Sequence, residues 1–206
     1  MYNYFGDFMY SIKNNIDNTI IIKKSKFITL LYKVNNIDEV ENILEEIKNK
    51  YSDSTHICYA YIVSNHEKAF DDGEPSGTAG MPILNVLKKN NITNILAVVV
   101  RYFGGVKLGA SGLLRAYSNS VSDALKLTSI IELTPGYLIE IEFTRDNLKL
   151  IDYMLTDKQI VEKIFNDNVI YKFYLNEEEL YIISEFEKCC LHVSINDKVL
   201  IEKNEI

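Results

Sequence analysis

Residues Ile95–Tyr102 read I-L-A-V-V-V-R-Y, apolar at both alternating sets of positions, and this run limits the possible folds more than any other stretch. A strand with one polar face can lie at a surface, whereas one that is apolar on both faces must be covered on both. The run therefore predicts a central, buried strand. It delivers Arg101 at its C-terminal end, just before a Gly104-Gly105 turn. Its aliphatic part, Ile95–Val100, is far shorter than the ~20 residues a membrane helix needs.

Other elements can be placed around that strand. Residues 19–34 read as two strands meeting at Lys23–Lys26. Residues 37–50 read as a helix with Ile37, Val40, Leu44 and Ile47 on one stripe, and Asn36 with Glu39 fits a capping box. His56–Val63 alternates, with His56, Cys58, Ala60 and Ile62 on one face and Ile57, Tyr59, Tyr61 and Val63 on the other. Asp71–Gly80 has turn chemistry at nearly every position. A helix is expected from about Met81 to the Asn90-Asn91 pair, with Pro82 in its first turn. Another is expected from Ser111 to Leu127, with Leu114, Tyr117, Val121 and Leu125 toward the core. Arg115, Ser118 and Ser122 then share a different side of it.

The Thr134-Pro135-Gly136 sequence reads as a break between domains 1–134 and 135–206. Beyond it come a strand at Leu138–Thr144, a helix at 146–155, and strands near 159–165 and 168–175. A capping box at Asn176 and Glu179 precedes a helix from 177 to about 190. An Asn196-Asp197 turn leads to a last strand at 198–203. That order, βαββαβ, is the ferredoxin-like pattern, so the chain is expected to be α+β with two domains. With 206 residues there is room for both.

Charge divides along the same line. Residues 1–134 hold 14 basic and 14 acidic side chains, and residues 135–206 hold 8 and 15, so the net −7 sits in the second part. A polyanion would be repelled there. Within 81–126, Lys88, Lys89, Arg101, Lys107, Arg115 and Lys126 face Asp123 alone, a local surplus that can attract an anion or form a solvated face. The chain has 19 lysines and three arginines, so Arg101 and Arg115 point to positions that need a planar fork. Cys58, Cys189 and Cys190 form no C-x-x-C pair, which excludes a disulfide scaffold or a cysteine-based zinc module. The N-terminal Met1-Tyr2-Asn3-Tyr4-Phe5 lacks the pattern of a signal peptide, and a cytoplasmic address is expected.

The densest chemistry lies in D-D-G-E-P-S-G-T-A-G at 71–80. Asp71, Asp72 and Glu74 are the candidates for a hard cation such as magnesium. Ser76 and Thr78 lie in a hydroxyl-glycine half that runs into a helix N-terminus, which favours an anion. Arg101 is expected to be oriented by Asp71 or Asp72 with its outer edge toward a ligand. Ser111, in G-A-S-G, is expected to cap the helix that follows. The bland alternative is that Asp71, Asp72 and Arg101 simply brace adjacent loops. His56 is a candidate proton donor beside the acidic loop, although a lone histidine is more often structural. The Tyr102-Phe103 pair is suited to stack on a base or to pack in the core. The sequence has no Walker A loop, dinucleotide fingerprint, H-E-x-x-H or G-x-S-x-G.

At these residues the chain resembles a known family. D-D-G-E-P-S-G-T-A-G at 71–80 and V-V-R-Y-F-G-G-V-K-L-G-A-S-G-L-L-R-A-Y-S at 99–118 look like the signature of the IMPACT/YigZ family. Lys24-Ser25-Lys26-Phe27 and His56-Ile57-Cys58-Tyr59-Ala60-Tyr61 resemble its flanking motifs, and the match spans about residues 15–130. Ser111 stands where many members have glycine. The resemblance implies an N-terminal domain like those of ribosomal proteins and of domain IV of elongation factor G. It also implies a C-terminal domain similar to domain V of that factor. Its eukaryotic members bind and restrain a partner in the starvation-responsive pathway of translation initiation.

Two functions follow as expectations. The first is a cytoplasmic binding or regulatory protein that contacts ribosome, RNA or a translation factor through residues 71–115, with no catalytic residue assigned and no cofactor unless magnesium. The alternative is a metal-assisted hydrolase or transferase acting on a small phosphorylated or anionic substrate. The binding candidates in either case are His56, Asp71, Asp72, Glu74, Ser76, Thr78, Arg101, Lys107, Ser111 and Arg115.

Overall fold

A computed structural model of the chain describes residues 9–202. The N-terminal pentapeptide and Lys203 of the expected last strand lie outside them. The chain divides into two compact units, Met1–Glu132 and Leu133–Ile206.

The first unit opens with β1 (Met9–Ile12), β2 (Ile16–Ile22) and β3 (Ser25–Lys33), then α1 (Ile37–Lys50), β4 (His56–Val63) and β5 (His66–Phe70). It continues with α2 (Gly80–Lys89), β6 (Ile95–Tyr102) and α3 (Ala110–Leu125). Strands β2-β3-β6-β4-β5 form one sheet in that order, all pairs antiparallel, with β6 in the centre. Both faces of β6 are covered as its sequence requires. Ile95, Ala97 and Val99 pack beneath α2 and α3, while Leu96, Val98 and Val100 pack beneath α1. The two faces expected of β4 separate the same way, Cys58 and Ala60 on one side and Tyr59 and Val63 on the other.

Several local expectations shift. The β2–β3 connection is a two-residue turn, with Lys23 and Lys24 both at positive φ, a conformation usually signalled by Asn-Gly. Strand β5, mostly exposed and strongly polar, carries no periodicity that would mark it. The Asn36 side chain does cap α1 by accepting from Glu39 N–H, while Glu39 reaches back to Asn35 N–H rather than to Asn36 N–H. In α3 the inward residues are Leu113, Ala116, Tyr117, Ser120, Val121, Ala124 and Leu125, and Leu114 is 42% exposed. Small residues at 116, 120 and 124 let the helix sit close to the sheet, which turns the buried stripe away from Leu114.

The second unit holds β7 (Ile130–Phe143) from Leu133 onward, α4 (Leu148–Met154), β8 (Ile160–Phe165), β9 (Val169–Asn176), α5 (Ile183–Phe186) and β10 (His192–Glu202). Its antiparallel order β10-β7-β9-β8 is the ferredoxin-like arrangement. Ile139, Ile141, Phe143, Tyr171, Phe173 and Phe186 form its core. The division falls between Glu132 and Leu133, two residues before the expected place, and Thr134-Pro135-Gly136 itself lies inside β7. Pro135 faces Leu200 of β10, while pairing with β9 starts only at Gly136, so the proline stands where one neighbouring strand has not yet begun. The Asn176–Glu179 capping box is present, but it opens a 3-10 turn at Glu177–Ile182 and only a short α5 follows. The Asn196-Asp197 turn is instead a shift in register within β10, between Ile195 and Lys198.

Candidate functional site

Register places four connections at one end of the first unit's sheet. Arg101 near the end of β6 lies opposite Phe27 of β3 and His56 of β4, and Phe70 at the end of β5 lies opposite Tyr59. The β2–β3 turn, the α1–β4 connection, the 71–80 loop and the 103–109 loop therefore all meet there. Gly104 allows the closest approach among them, since a Cβ on it would overlap the Lys24 carbonyl.

The 71–80 loop is organised by its own acid. Asp71 Oδ2 accepts from Gly77 N–H at 2.8 Å, and its Oδ1 accepts from Ala79 and Gly80 N–H at 3.0 and 2.8 Å. The anion that the α2 N-terminus favours is thus this carboxylate, and the expected cradle at 76–80 is already filled. Asp72, at positive φ, accepts from Ile57 N–H at 2.6 Å and so ties the loop to β4. Thr78 Oγ1 donates to the Pro75 carbonyl at 2.6 Å and is buried, whereas Ser76 is exposed.

Beneath the loop lies a buried ion pair. Arg101 is 5% exposed and Glu74 7%, and Arg101 Nη1 donates to Glu74 Oε1 at 2.5 Å. The hydroxyl of Tyr117, from α3, donates to the same oxygen at 2.7 Å. Arg101 Nη2 lies 3.5 Å from Ser25 Oγ, which accepts from Gly104 N–H at 3.1 Å, and Arg101 Nε is buried without a partner among the described residues. The guanidinium is flanked by the rings of Phe27 and Phe103, at 5.4 and 5.5 Å. His56 Nδ1 is 2.7 Å from the Asp72 carbonyl. A carbonyl can only accept, so Nδ1 carries the proton in neutral His56 and Nε2 faces Glu74 Oε2 from 4.0 Å.

Cys58 donates to the Asp71 carbonyl at 2.9 Å and touches the Tyr117 oxygen at 3.4 Å. Burial pushes its thiol up to about 12, with the carboxylates of Glu74, Asp72 and Asp71 adding to the rise. Tyr117 is also raised, by burial first and then by Cys58 and Glu74. Both groups stay protonated at neutral pH and serve as donors rather than nucleophiles or bases.

Some expectations for the site are corrected by this geometry. Arg101 is oriented by Glu74, not by Asp71 or Asp72, and its head lies inside the brace instead of facing a ligand. Asp71, Asp72 and Glu74 each hold different protein donors, and among the described residues no group of three His, Cys, Asp or Glu side chains is placed to hold a metal ion. Ser111 does not cap α3. Gly109, at positive φ, occupies the cap position with no side-chain bond, because the chain must turn sharply out of the 103–109 loop there. Ser111, Lys107 and Arg115 are exposed on that loop and the first turns of α3. Ser25, Cys58 and Tyr117 belong to the brace; all three lie in the stretches that resemble the family's motifs, but they are not among the expected binding residues. Their polar atoms point inward, Ser25 from a position that reads as a turn and Tyr117 from one that reads as core.

A central antiparallel sheet with two helices on one face and one on the other, followed in the chain by a ferredoxin-like unit, defines a two-domain α+β protein. Its glycine-rich and charged loops gather at one sheet end of the first unit. Residues 23–125 match the Impact N-terminal domain, and the chain belongs to the IMPACT family. It is 38% identical over 182 residues to the IMPACT family member YvyE of Bacillus subtilis, covering 86% of this chain and 84% of that one. It is 37% identical over 129 residues to the family member YigZ of Escherichia coli, covering 59% and 63%. A crystal structure of a hypothetical protein matches 98% of this chain and 100% of its own, with 26% identity and a TM-score of 0.66. Among the described residues no helix is long and apolar enough to cross a membrane.

Proposed function

We propose that this chain is a binding protein of the translation apparatus that contacts RNA, most simply ribosomal RNA, through the loop end of its first unit. One observation carries the reading. Lys23, Lys24, Lys26, Lys107 and Arg115 are exposed at or beside that end, and none of their side chains has a hydrogen-bond or ion-pair partner among the described residues. The acids nearby are Asp53, which accepts from the Tyr102 hydroxyl, Asp71 and Asp72, which accept from backbone N–H groups, and Glu74, which is paired with Arg101, so the five exposed cations outnumber the three carboxylates that have no cationic partner. Phe103, 46% exposed, lies against the buried guanidinium and offers a face for stacking. The translational direction comes from what the family resemblance implies for its eukaryotic members.

The second unit has the sheet order of many RNA-binding modules but a different surface. On the face away from its helices, Lys172 bridges Glu140 and Glu162, and Glu142 lies on the same side of β7 as Glu140. Such a row repels phosphate. RNA contact therefore belongs to the first unit. A hydrolase or transferase draws less support, because the Arg101–Glu74 pair is buried and Cys58 and Tyr117 remain protonated.

Filter binding of single-stranded RNA, and co-sedimentation with ribosomes, test this reading between about 50 and 200 mM salt. Affinity is expected to fall steeply with salt. Changing both Lys107 and Arg115 to Glu is expected to flatten the dependence, by roughly 0.7 in logarithmic slope for each phosphate no longer neutralised. Binding that survives high salt, or that maps to residues 135–206, overturns the proposal.

A further inference from the structure

The two faces of the first unit's sheet are covered unequally. Five strands about 4.8 Å apart make a face wide enough for two helices, each about 10 Å across. On one face α2 and α3 fill that width, and on the other α1 stands alone. Val40, Leu44 and Ile47 seat α1 over β3, β6 and β4, which leaves β5 without a helix above it. A cavity of about 390 Å³ runs there between α1 and the hairpin, floored by Tyr59 and Tyr61. Phe70 continues the floor, its ring 5.1 Å from that of Tyr59 and 40% exposed.

We infer that this groove is a docking site for one amphipathic helix of a partner protein, lying beside α1 and completing a two-helix layer. The opposite face shows that such a layer fits this sheet. Charge at the rims defines the flanks of the occupant. Glu41 and Glu45, one turn apart on α1, line one wall with Lys48 at its end, and Lys68 of β5 lines the other. None of the four has a side-chain partner among the described residues. The matching helix carries an apolar stripe against Tyr61 and Phe70, two Lys or Arg residues spaced i,i+4 toward Glu41 and Glu45, and acids toward Lys48 and Lys68. The groove is lined by residues outside the loop end, so this inference stands independently of RNA binding there.

Two synthetic 18-residue helical peptides with one apolar stripe test it on the full chain. One carries the flank charges just described, and the other has the two flanks exchanged. Binding is read by fluorescence anisotropy and by amide shifts in the 15N-labelled protein. The first peptide is expected to bind about tenfold more tightly, since exchange turns each exposed attraction into a repulsion. Shifts are expected at residues 37–48, 59–61 and 68–70. The double change Glu41→Lys and Glu45→Lys lies on an exposed helix face and should leave folding intact while reversing the preference. Lys107→Glu with Arg115→Glu should not alter peptide binding, whatever it does to RNA. Equal affinity for both peptides, shifts centred elsewhere, or no binding overturns the inference.

Discussion

Arg101 and Glu74 form a pair whose value depends on both members being present. Buried charges are costly alone, so removing one partner is more damaging than the net strength of the pair suggests. Glu74→Gln leaves the guanidinium without a counter-charge and is expected to cost about 3–5 kcal/mol in urea denaturation. Arg101→Lys keeps the charge but cannot reach both Glu74 and Ser25, and a loss of about 1–3 kcal/mol is expected. If Arg101→Lys leaves stability unchanged and weakens RNA binding instead, the residue is a ligand group and not a brace. Cys58 gives a pH signature. Its folded-state value of about 12 lies above the ordinary thiol value of 9, so between those limits the unfolded chain releases a proton that the folded chain keeps. The stability from this group is complete below about pH 9 and is lost as pH rises toward 12, at up to about 1.4 kcal/mol per unit. Tyr117 acts in the same direction. Unfolding midpoints at pH 8 and pH 10.5 should show the fall, and Cys58→Ala should reduce its slope.

At the scale of elements, Gly104 and Gly105 separate two reasons for glycine. Gly104 lies against the β2–β3 turn, where a Cβ would collide with the Lys24 carbonyl and Ser25 N, both backbone atoms that cannot move aside cheaply. Gly105 has nothing near its missing Cβ, but its φ is +84°. Gly104→Ala is expected to force the 103–109 loop off the turn, at about 1–3 kcal/mol or more, and to shift amide resonances of Lys23–Ser25. Gly105→Ala is expected to cost about 1 kcal/mol and to leave those resonances in place. Equal effects from the two changes would mean that the loops do not pack as described. The same contrast explains why adjacent glycines look like one turn signal in the sequence: conformational freedom is local, whereas the close approach of Gly104 depends on Ser25, 79 residues earlier.

For the whole molecule, the position of the boundary has consequences for where the chain can be cut. Strand β7 pairs with β10 from Leu133 to Glu142, so Leu133–Tyr137 supply part of the second unit's own sheet. A fragment beginning at Leu133 is expected to unfold cooperatively, and one beginning at Leu138 is expected to be markedly less stable, because Lys198–Glu202 then have no strand to pair with. Thermal melts of the two fragments followed by circular dichroism decide this. If both melt alike, the first half of β7 contributes nothing to that unit. The uneven charge also belongs to this scale. With −7 confined to residues 135–206, the separated fragments should elute at opposite ends of a salt gradient on an anion exchanger.

What the sequence determined by itself is what periodicity and composition can encode. The two-faced strand at Ile95–Tyr102, the stripe of α1, the alternation of β4 and the βαββαβ order all follow from which residues must leave water. So does the concentration of chemistry in 71–80 and 99–118, because glycines, carboxylates and arginines are legible wherever the chain goes next. Only the tertiary structure decided which of those groups meet. Asp71 fills the helix N-terminus ahead of it, Glu74 rather than Asp71 or Asp72 takes Arg101, and Tyr117 and Ser25 arrive from helix and turn to complete the pair. Those partners are 43 and 76 residues away in the chain from the groups they bond. Hydrogen bonding is directional and short-ranged, so it is settled by packing, which places the atoms, and not by the spacing of residues along the sequence.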